Sequence, residues 1–253
     1  DQHSTTRTDP IGRFNRTFIN VFTMIFGSMN QVERAARRVH AVHKHIQGEL
    51  AEDSGAFAGG SYYQANEAHA MLWVHATLWD TQVRMYELVL RELTPEEKEA
   101  YYAETRRFAW LFGIPDELIP EDWNAFQDYM NRMYASDVLT VGEVGHEMGS
   151  MIFSFDLPFA KMPLNWLRTI TAEMLPEGLA RDFGLPEDSP QRRRTFERSL
   201  RWIRRIYPRL PGRLRYIPPY IEACRRLEGK HHADWATRRL NQLWLGRPEL
   251  VSE

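Results

Sequence analysis

Residues 66–93 have the sequence NEAHAMLWVHATLWDTQVRMYELVLREL, and this stretch decides the fold class. At 100° per residue its apolar side chains gather on one face, which predicts a long amphipathic helix. The next four residues, Thr94 to Glu97, combine an N-cap threonine, a first-turn proline and a capping-box glutamate, so another helix is predicted to begin there. Alternating apolar runs between turn residues, which are typical of strands, do not occur. The sequence therefore predicts an all-α protein.

Helix signals and helix breaks alternate along the rest of the chain. They predict a helix over 28–47 that ends at Gly48, a Gly-rich loop over 50–63, a helix over 141–153, and short helices and turns over the proline-punctuated residues 157–190. No linker separates two folding units. We therefore predict one compact helical domain over residues 1–253, in which residues 1–9 and 228–253 are peripheral tails.

Composition excludes several classes of protein. The 253 residues carry 32 basic and 34 acidic side chains, and a net charge of −2 gives no reason to expect a nucleic-acid partner. Cys224 is the only cysteine, which excludes an internal disulfide and a cysteine zinc site. The longest apolar run, residues 17–26, falls short of the roughly 20 residues that cross a bilayer. A cytoplasmic protein is expected, and a leader removed before Asp1 is compatible with the sequence.

Sequence motifs narrow the choice further. No phosphate-binding loop, dinucleotide fingerprint or nucleophile elbow occurs, so the familiar kinase, Rossmann and hydrolase functions are excluded. His75 lies in the middle of the apolar face of the helix over 66–93, together with Met71, Trp79 and Gln82. A buried imidazole needs a partner for each ring nitrogen. His75 is therefore either a core histidine bonded to the backbone or to Gln82, or a metal ligand.

The preceding helix carries Arg38, His40 and His43. His40 and His43 lie one turn apart on one side, where two neutral imidazoles can ligate one metal, and the alternative is that both are solvated surface residues. By the helical wheel, His43 is the better candidate to point inward. Glu143 and His146 form one E-x-x-H motif, whereas di-iron bundles need two copies.

Two further segments have unusual composition. Gly142, Gly145 and Gly149 form a strip without side chains on the predicted helix, and either a neighbouring helix or a flat cofactor can approach it closely. Residues 191–215 form a basic amphipathic helix, which is typical of contact with anionic lipid, a partner or an acidic substrate. A peripheral membrane contact is one expectation for this segment. The alternative is that its arginines pair with acidic groups of the same chain.

Several motifs, taken together, resemble one known family. They are RRVHAVHKHIQG at 37–48, YQANE at 63–67, LWVHATL at 72–78 and LTPEE at 93–97. This pattern resembles the MpaB-type oxygenases, also called DUF2236, a family that includes the latex-clearing rubber oxygenases. The Trp-Val-His-Ala-Thr-Leu block at 73–78 is its most specific element, and the likeness covers about 10–227.

The resemblance implies a globin-like helical core that holds a b-type haem. It implies that His75 is the proximal iron ligand, with its second ring nitrogen held by a backbone or amide acceptor. The other cofactor-binding residues implied are Met71, Trp79, Arg38, Gly145 and Gly149. On the distal side the resemblance implies catalytic roles for Arg38, His40 and His43, which would stabilise negative charge on oxygen. The partners implied are dioxygen and an apolar small-molecule or isoprenoid-like substrate.

The chain departs from the rubber-cleaving members at two places. These enzymes have a lysine followed by a threonine on the distal helix and a glutamate upstream, whereas this helix has only Lys44 and no acid occurs between Ile11 and Val32. A substrate other than polyisoprene is therefore predicted, and the sixth iron position is either open or closed by a histidine. Two alternatives stay open. They are a non-catalytic helical protein that binds lipid or an apolar ligand, and a non-haem metalloenzyme with Glu143, His146 and the His40/His43 pair.

Overall fold

A computed structural model describes residues 9–152, 161–230 and 232–250. Within these residues the chain forms twelve α-helices and one two-stranded hairpin, which confirms the all-α prediction. The helices are α1 Pro10–Phe26, α2 Met29–Lys44, α3 Ala68–Val89, α4 Pro95–Leu111, α5 Trp123–Tyr134, α6 Glu143–Ile152, α7 Lys161–Met174, α8 Glu177–Asp182, α9 Pro190–Ile206, α10 Gly212–Arg215, α11 Pro218–Leu227 and α12 Trp235–Leu245. Among the helices described, none is both long and apolar enough to cross a membrane.

Helix α3 runs from Ala68 to Val89, within the predicted 66–93, and its start is set by the side chain of Glu67. The Glu67 carboxylate accepts hydrogen bonds from the first-turn amides of His69 and Ala70 at 3.0 and 2.6 Å, and so caps the helix. The predicted capping box of α4 is confirmed. The Thr94 hydroxyl accepts from the Glu97 amide at 3.2 Å, and the Glu97 carboxylate accepts from the Thr94 amide at 3.0 Å.

The prediction that no strand is present needs one correction. Strands β1 (Gln47–Glu49) and β2 (Tyr62–Gln64) pair antiparallel at the two ends of the predicted loop, with Gly48 opposite Tyr63. A Cβ at position 48 would lie 3.0 Å from the Tyr63 hydroxyl, so the glycine makes room for that ring. Strands of three residues are too short to show an apolar alternation in the sequence.

The main core lies between α3, α4 and α5. Its largest buried rings are Trp79, Tyr102 and Phe126, and the Tyr102 and Phe126 rings are stacked 5.0 Å apart. Each of these side chains contributes on the order of 2 kcal/mol through burial alone. The core therefore fixes the rotation of α3 about its axis, and with it the direction of every side chain on that helix.

Residues 228–250 do not form a peripheral tail in the structure, so that prediction is wrong for the part described. Leu245 and Leu250 are fully buried against Phe22 of α1. The buried carboxylate of Glu222 accepts hydrogen bonds from the Asn241 side chain at 2.9 Å and from the Leu250 amide at 2.8 Å. The reason is that α1 carries aromatic side chains on one face, and the C-terminal segment packs against this face and removes it from water.

Candidate functional site

His75 lies on the face of α3 that packs against α4. It is 4% exposed, and its ring centroid lies 4.5 Å from that of Phe112 and 5.4 Å from that of Phe108. Trp79, one turn further along α3, lies 5.8 Å away. Met71, one turn earlier, is buried in the same core. The imidazole is therefore surrounded by aromatic and apolar side chains.

The imidazole lacks the partner that was expected for it. Nδ1 of His75 is fully buried and has no hydrogen-bond partner in the described part of the chain. Gln82, the predicted side-chain acceptor, accepts instead from the Tyr101 hydroxyl at 2.8 Å. The expectation that a backbone or amide acceptor holds the second ring nitrogen is therefore wrong for Nδ1. A buried polar atom without a partner costs roughly 1–3 kcal/mol, and several other buried side-chain atoms of the described residues, among them Nδ1 of His43, share this state.

Burial also sets the charge of this ring. Removal from water lowers the pKa of His75 to about 4, because the charged form loses its hydration. The ring is therefore neutral at pH 7, which is the form that binds a metal ion.

The flank of α3 next to His75 is apolar but open to solvent. At 100° per residue Val74 and Leu78 lie on this flank, and they are 57% and 44% exposed. Phe108 of α4 and Phe112, the residue that follows this helix, are only half-buried. The surface beside the buried imidazole can therefore accept an apolar group.

The distal candidates lie together on α2, close to the start of α3. The Asn66 amide donates to the backbone carbonyl of His40 at 3.2 Å, which ties α2 to the residues before α3. Arg38 and His40 are exposed, whereas His43 is half-buried and its Nδ1 has no hydrogen-bond partner among the described residues. Burial lowers the pKa of His43, the hydrogen bond with the Asn66 side chain raises it, and the charge of His40 lowers it, so that the net shift is downward. No ring contact or hydrogen bond in the described part joins these side chains to His75.

Gly149 of the glycine strip and His146 of the E-x-x-H motif lie against the end of α8 and the residue that follows it. Nδ1 of His146 donates to the Asp182 carbonyl at 2.9 Å, and a Cβ at Gly149 would lie 3.0 Å from the Phe183 ring. The nearest atom to a Cβ at Gly145 belongs to Val141. The strip thus has a protein neighbour at Gly149, and the role of both glycines as cofactor contacts stays a prediction.

The non-haem alternative finds no support in the geometry. Among the residues described, no three His, Cys, Asp or Glu side chains lie close enough together to hold a metal ion. Glu143 and His146 lie on α6, whereas His40 and His43 lie on α2. Within the described residues this finding concerns only sites that need several such ligands, since a haem iron needs one protein ligand.

A separate cavity of about 330 Å³ lies on the opposite face of α3 from His75. Trp73, Thr77, Thr81 and Arg84 recur along that face of the helix and line it. The other walls are formed by α5, α7, α8 and the residues that follow each of these helices. They are Tyr134, Leu139, Thr140, Val141, Thr171, Met174, Leu175, Leu179 and Phe183. Such a volume is at the lower end of the range for small-molecule sites.

Comparison with known proteins adds a family to this geometry. Residues 1–205 match the model of the family described as "ER-bound oxygenase mpaB/B'/Rubber oxygenase, catalytic domain", which is well over half of the chain. The chain belongs to this family. No curated protein and no solved structure matches it. The predicted resemblance to the MpaB-type and rubber oxygenases is therefore confirmed.

Sequence reasoning missed part of the site in this member of the oxygenase family. Phe108 and Phe112, which flank the imidazole, were not predicted as site residues. Phe108 and Phe112 are spaced i, i+4 at the end of α4, where Phe112 is the C-cap residue, and this spacing was available in the sequence. Arg84 and Tyr134 of the separate cavity had no such signal, because they come from two helices that only the tertiary fold brings together.

Proposed function

We propose that this oxygenase-family chain is a haem b-dependent enzyme that oxidises an apolar small molecule or an isoprenoid-like substrate with dioxygen. The observation that supports the proposal most is the state of His75: a buried imidazole, neutral at pH 7, that lies against aromatic rings beside an exposed apolar flank of α3. This histidine stands in the most specific of the motifs shared with the family.

The residues around His75 fit a porphyrin. Phe108 and Phe112 offer aromatic surface to a flat ring, and the exposed side chains of Val74 and Leu78 offer apolar surface that such a cofactor would cover. Covering exposed apolar surface is favourable by about 25 cal/mol per Å². His75 would hold the iron, since a neutral imidazole is the usual proximal ligand of haem proteins.

The rest of the chain would position the reactants and control charge. Haem, when bound, supplies the redox chemistry with dioxygen. On α2, the exposed guanidinium of Arg38 would stabilise negative charge that develops on oxygen, and His43, which burial keeps neutral, would offer a ring nitrogen to the same region. His40 lies one turn from His43, and its charge would help to lower the pKa of the His43 ring. Met71 and Trp79 would hold the helix turn that carries His75 in place, because both are buried in the core of α3.

An absorption spectrum of the purified protein tests this proposal. We expect a Soret band that shifts on reduction and again on addition of carbon monoxide. His75→Gly should lose the band, and added imidazole should restore it by filling the space that the side chain leaves. His69→Gly, a replacement of an exposed histidine on the same helix, is the matched control and should keep the spectrum. Full haem content and an unchanged spectrum in His75→Gly would show that another residue holds the iron.

A second candidate function rests on the separate cavity. A non-catalytic protein that binds an apolar ligand would use this space, which is lined mostly by apolar side chains and by three threonines on α3 and α7. The two functions differ in one measurement, because a colourless protein that binds an apolar fluorescent probe would support the second. Thr171→Phe should then fill the cavity and abolish probe binding, while it should leave the Soret band of a haem protein unchanged.

A further inference from the structure

Helix α9 presents a stripe of four arginines on one face. Arg194, Arg198, Arg201 and Arg205 recur at i, i+4, i+7 and i+11, which places them within about 60° of one another. At 1.5 Å per residue the stripe is about 16 Å long. All four residues are exposed. We call these four residues the arginine stripe.

The arginines of α9 divide into two groups. The first group is used within the protein: the Arg192 guanidinium donates to Glu173 at 2.8 Å, Arg193 pairs with Asp188, and the Arg204 guanidinium donates to the Leu88 carbonyl at 2.8 Å. In the described part of the chain, no guanidinium of the arginine stripe forms an ion pair or a hydrogen bond. The prediction that these arginines pair with acidic groups of the chain therefore holds for Arg192 and Arg193, whereas Arg204 binds a backbone carbonyl and the stripe has no such partner in the described residues.

The orientation of α9 keeps the stripe turned toward solvent. Phe196 and Leu200 are buried on the opposite face, where they pack with Ile170 of α7. Because both faces belong to one rigid helix, the stripe is fixed in position relative to the core. The four charges do not depend on a flexible loop for their alignment.

An apolar flank accompanies the stripe. Trp202 is 60% exposed and lies about 80° from Arg194 on the wheel, and Ile206, one turn later, is 47% exposed. An exposed indole beside cationic side chains is typical of the boundary between lipid headgroups and acyl chains. Glu197 borders the stripe on its other side and is the single acid on this helix.

We propose that the arginine stripe and Trp202 dock on an anionic lipid surface. The guanidinium groups would contact phosphate or carboxylate groups of the lipids, while the indole would enter the interface. A nucleic acid is the less suitable partner, because nucleic-acid-binding domains carry a strong positive charge and this chain has a net charge of −2. The docking is independent of what the His75 region binds.

Sedimentation with vesicles tests the proposal on the full chain. We expect the protein to bind vesicles of phosphatidylcholine and phosphatidylserine, to bind pure phosphatidylcholine vesicles much more weakly, and to dissociate at 0.5 M NaCl. Each arginine near an anionic surface contributes roughly a fivefold gain in binding, so Arg198→Gln with Arg201→Gln should weaken binding about 25-fold. Trp202→Ser should weaken binding to the same vesicles and reduce the blue shift of tryptophan fluorescence.

A matched control separates the effect of the arginine stripe on binding from the effect of the protein's net charge. Arg107→Gln with Arg132→Gln makes the same change of charge at exposed positions of α4 and α5 and should leave binding unchanged. Circular dichroism should show the same helix content in all variants, since every altered side chain is exposed. Equal binding by both double variants would overturn the proposal, and so would binding to a single-stranded RNA oligonucleotide with none to vesicles.

Discussion

The buried imidazole of His75 should make the stability of the protein depend on pH in a way that one substitution removes. Folding lowers the pKa of this ring from its ordinary value of 6.5 to about 4. The unfolded chain therefore binds a proton below pH 6.5 that the folded chain refuses until about pH 4. The stability contributed by the neutral ring is present above pH 6.5 and is lost as the pH falls from 6.5 toward 4.

The size of this effect follows from the two pKa values. Each unit of difference corresponds to about 1.4 kcal/mol, so the full loss is roughly 3 kcal/mol. Between pH 7.5 and pH 5.0 the linkage relation gives a loss of about 2 kcal/mol. For a chain of this length that change corresponds to about 4–8 °C in Tm. Iron ligation needs the same neutral ring, so bound haem would act in the same direction.

Urea unfolding followed by circular dichroism at pH 7.5, 6.0 and 5.0 measures the loss. Other histidines and carboxylates also titrate, so the quantity to compare is the difference between the wild type and His75→Leu. The variant should lose about 2 kcal/mol less than the wild type between pH 7.5 and 5.0. His69→Leu, the exposed control on the same helix, should follow the wild type. Parallel loss in the wild type and in His75→Leu would refute the reasoning.

Three further substitutions test how the fold is held together. Glu222→Ala leaves the buried or half-buried donors of Arg226, Asn241 and Leu250 without their carboxylate, and it should lower the free energy of unfolding by about 3 kcal/mol. A loss under 1 kcal/mol in urea unfolding would contradict this hydrogen-bond network. Thr94→Ala removes the N-cap of α4 and should cost about 1 kcal/mol, whereas Thr94→Ser should restore most of it. Gly149→Val should push against Phe183 and cost about 2 kcal/mol, measured as a lower Tm, while Gly142→Val, with no atom within 4 Å of its Cβ, should show no such clash.

Local signals in the sequence were sufficient to predict α3 and the capped start of α4. The spacing of apolar residues over 66–93 predicted α3, and the residues Thr94 to Glu97 predicted the capped start of α4, because a helix and its cap depend on neighbours within four residues. The hairpin between β1 and β2 was missed, since its pairing joins residues 13 to 17 positions apart and leaves no local pattern. The same limit explains why residues 228–250 were taken for a tail: their burial depends on the aromatic face of α1 at the other end of the chain.

For the candidate site, helical spacing alone was enough to predict that His75 lies on an apolar face of its helix. The packing of α4 against α3 brings Phe108 and Phe112 against this ring and leaves its Nδ1 without a partner among the described residues, and neither result follows from helical spacing. The division of the α9 arginines into paired and free groups was also a tertiary outcome. In each case the sequence fixes the direction of a side chain around its own helix, whereas its partners belong to other helices and are chosen by packing.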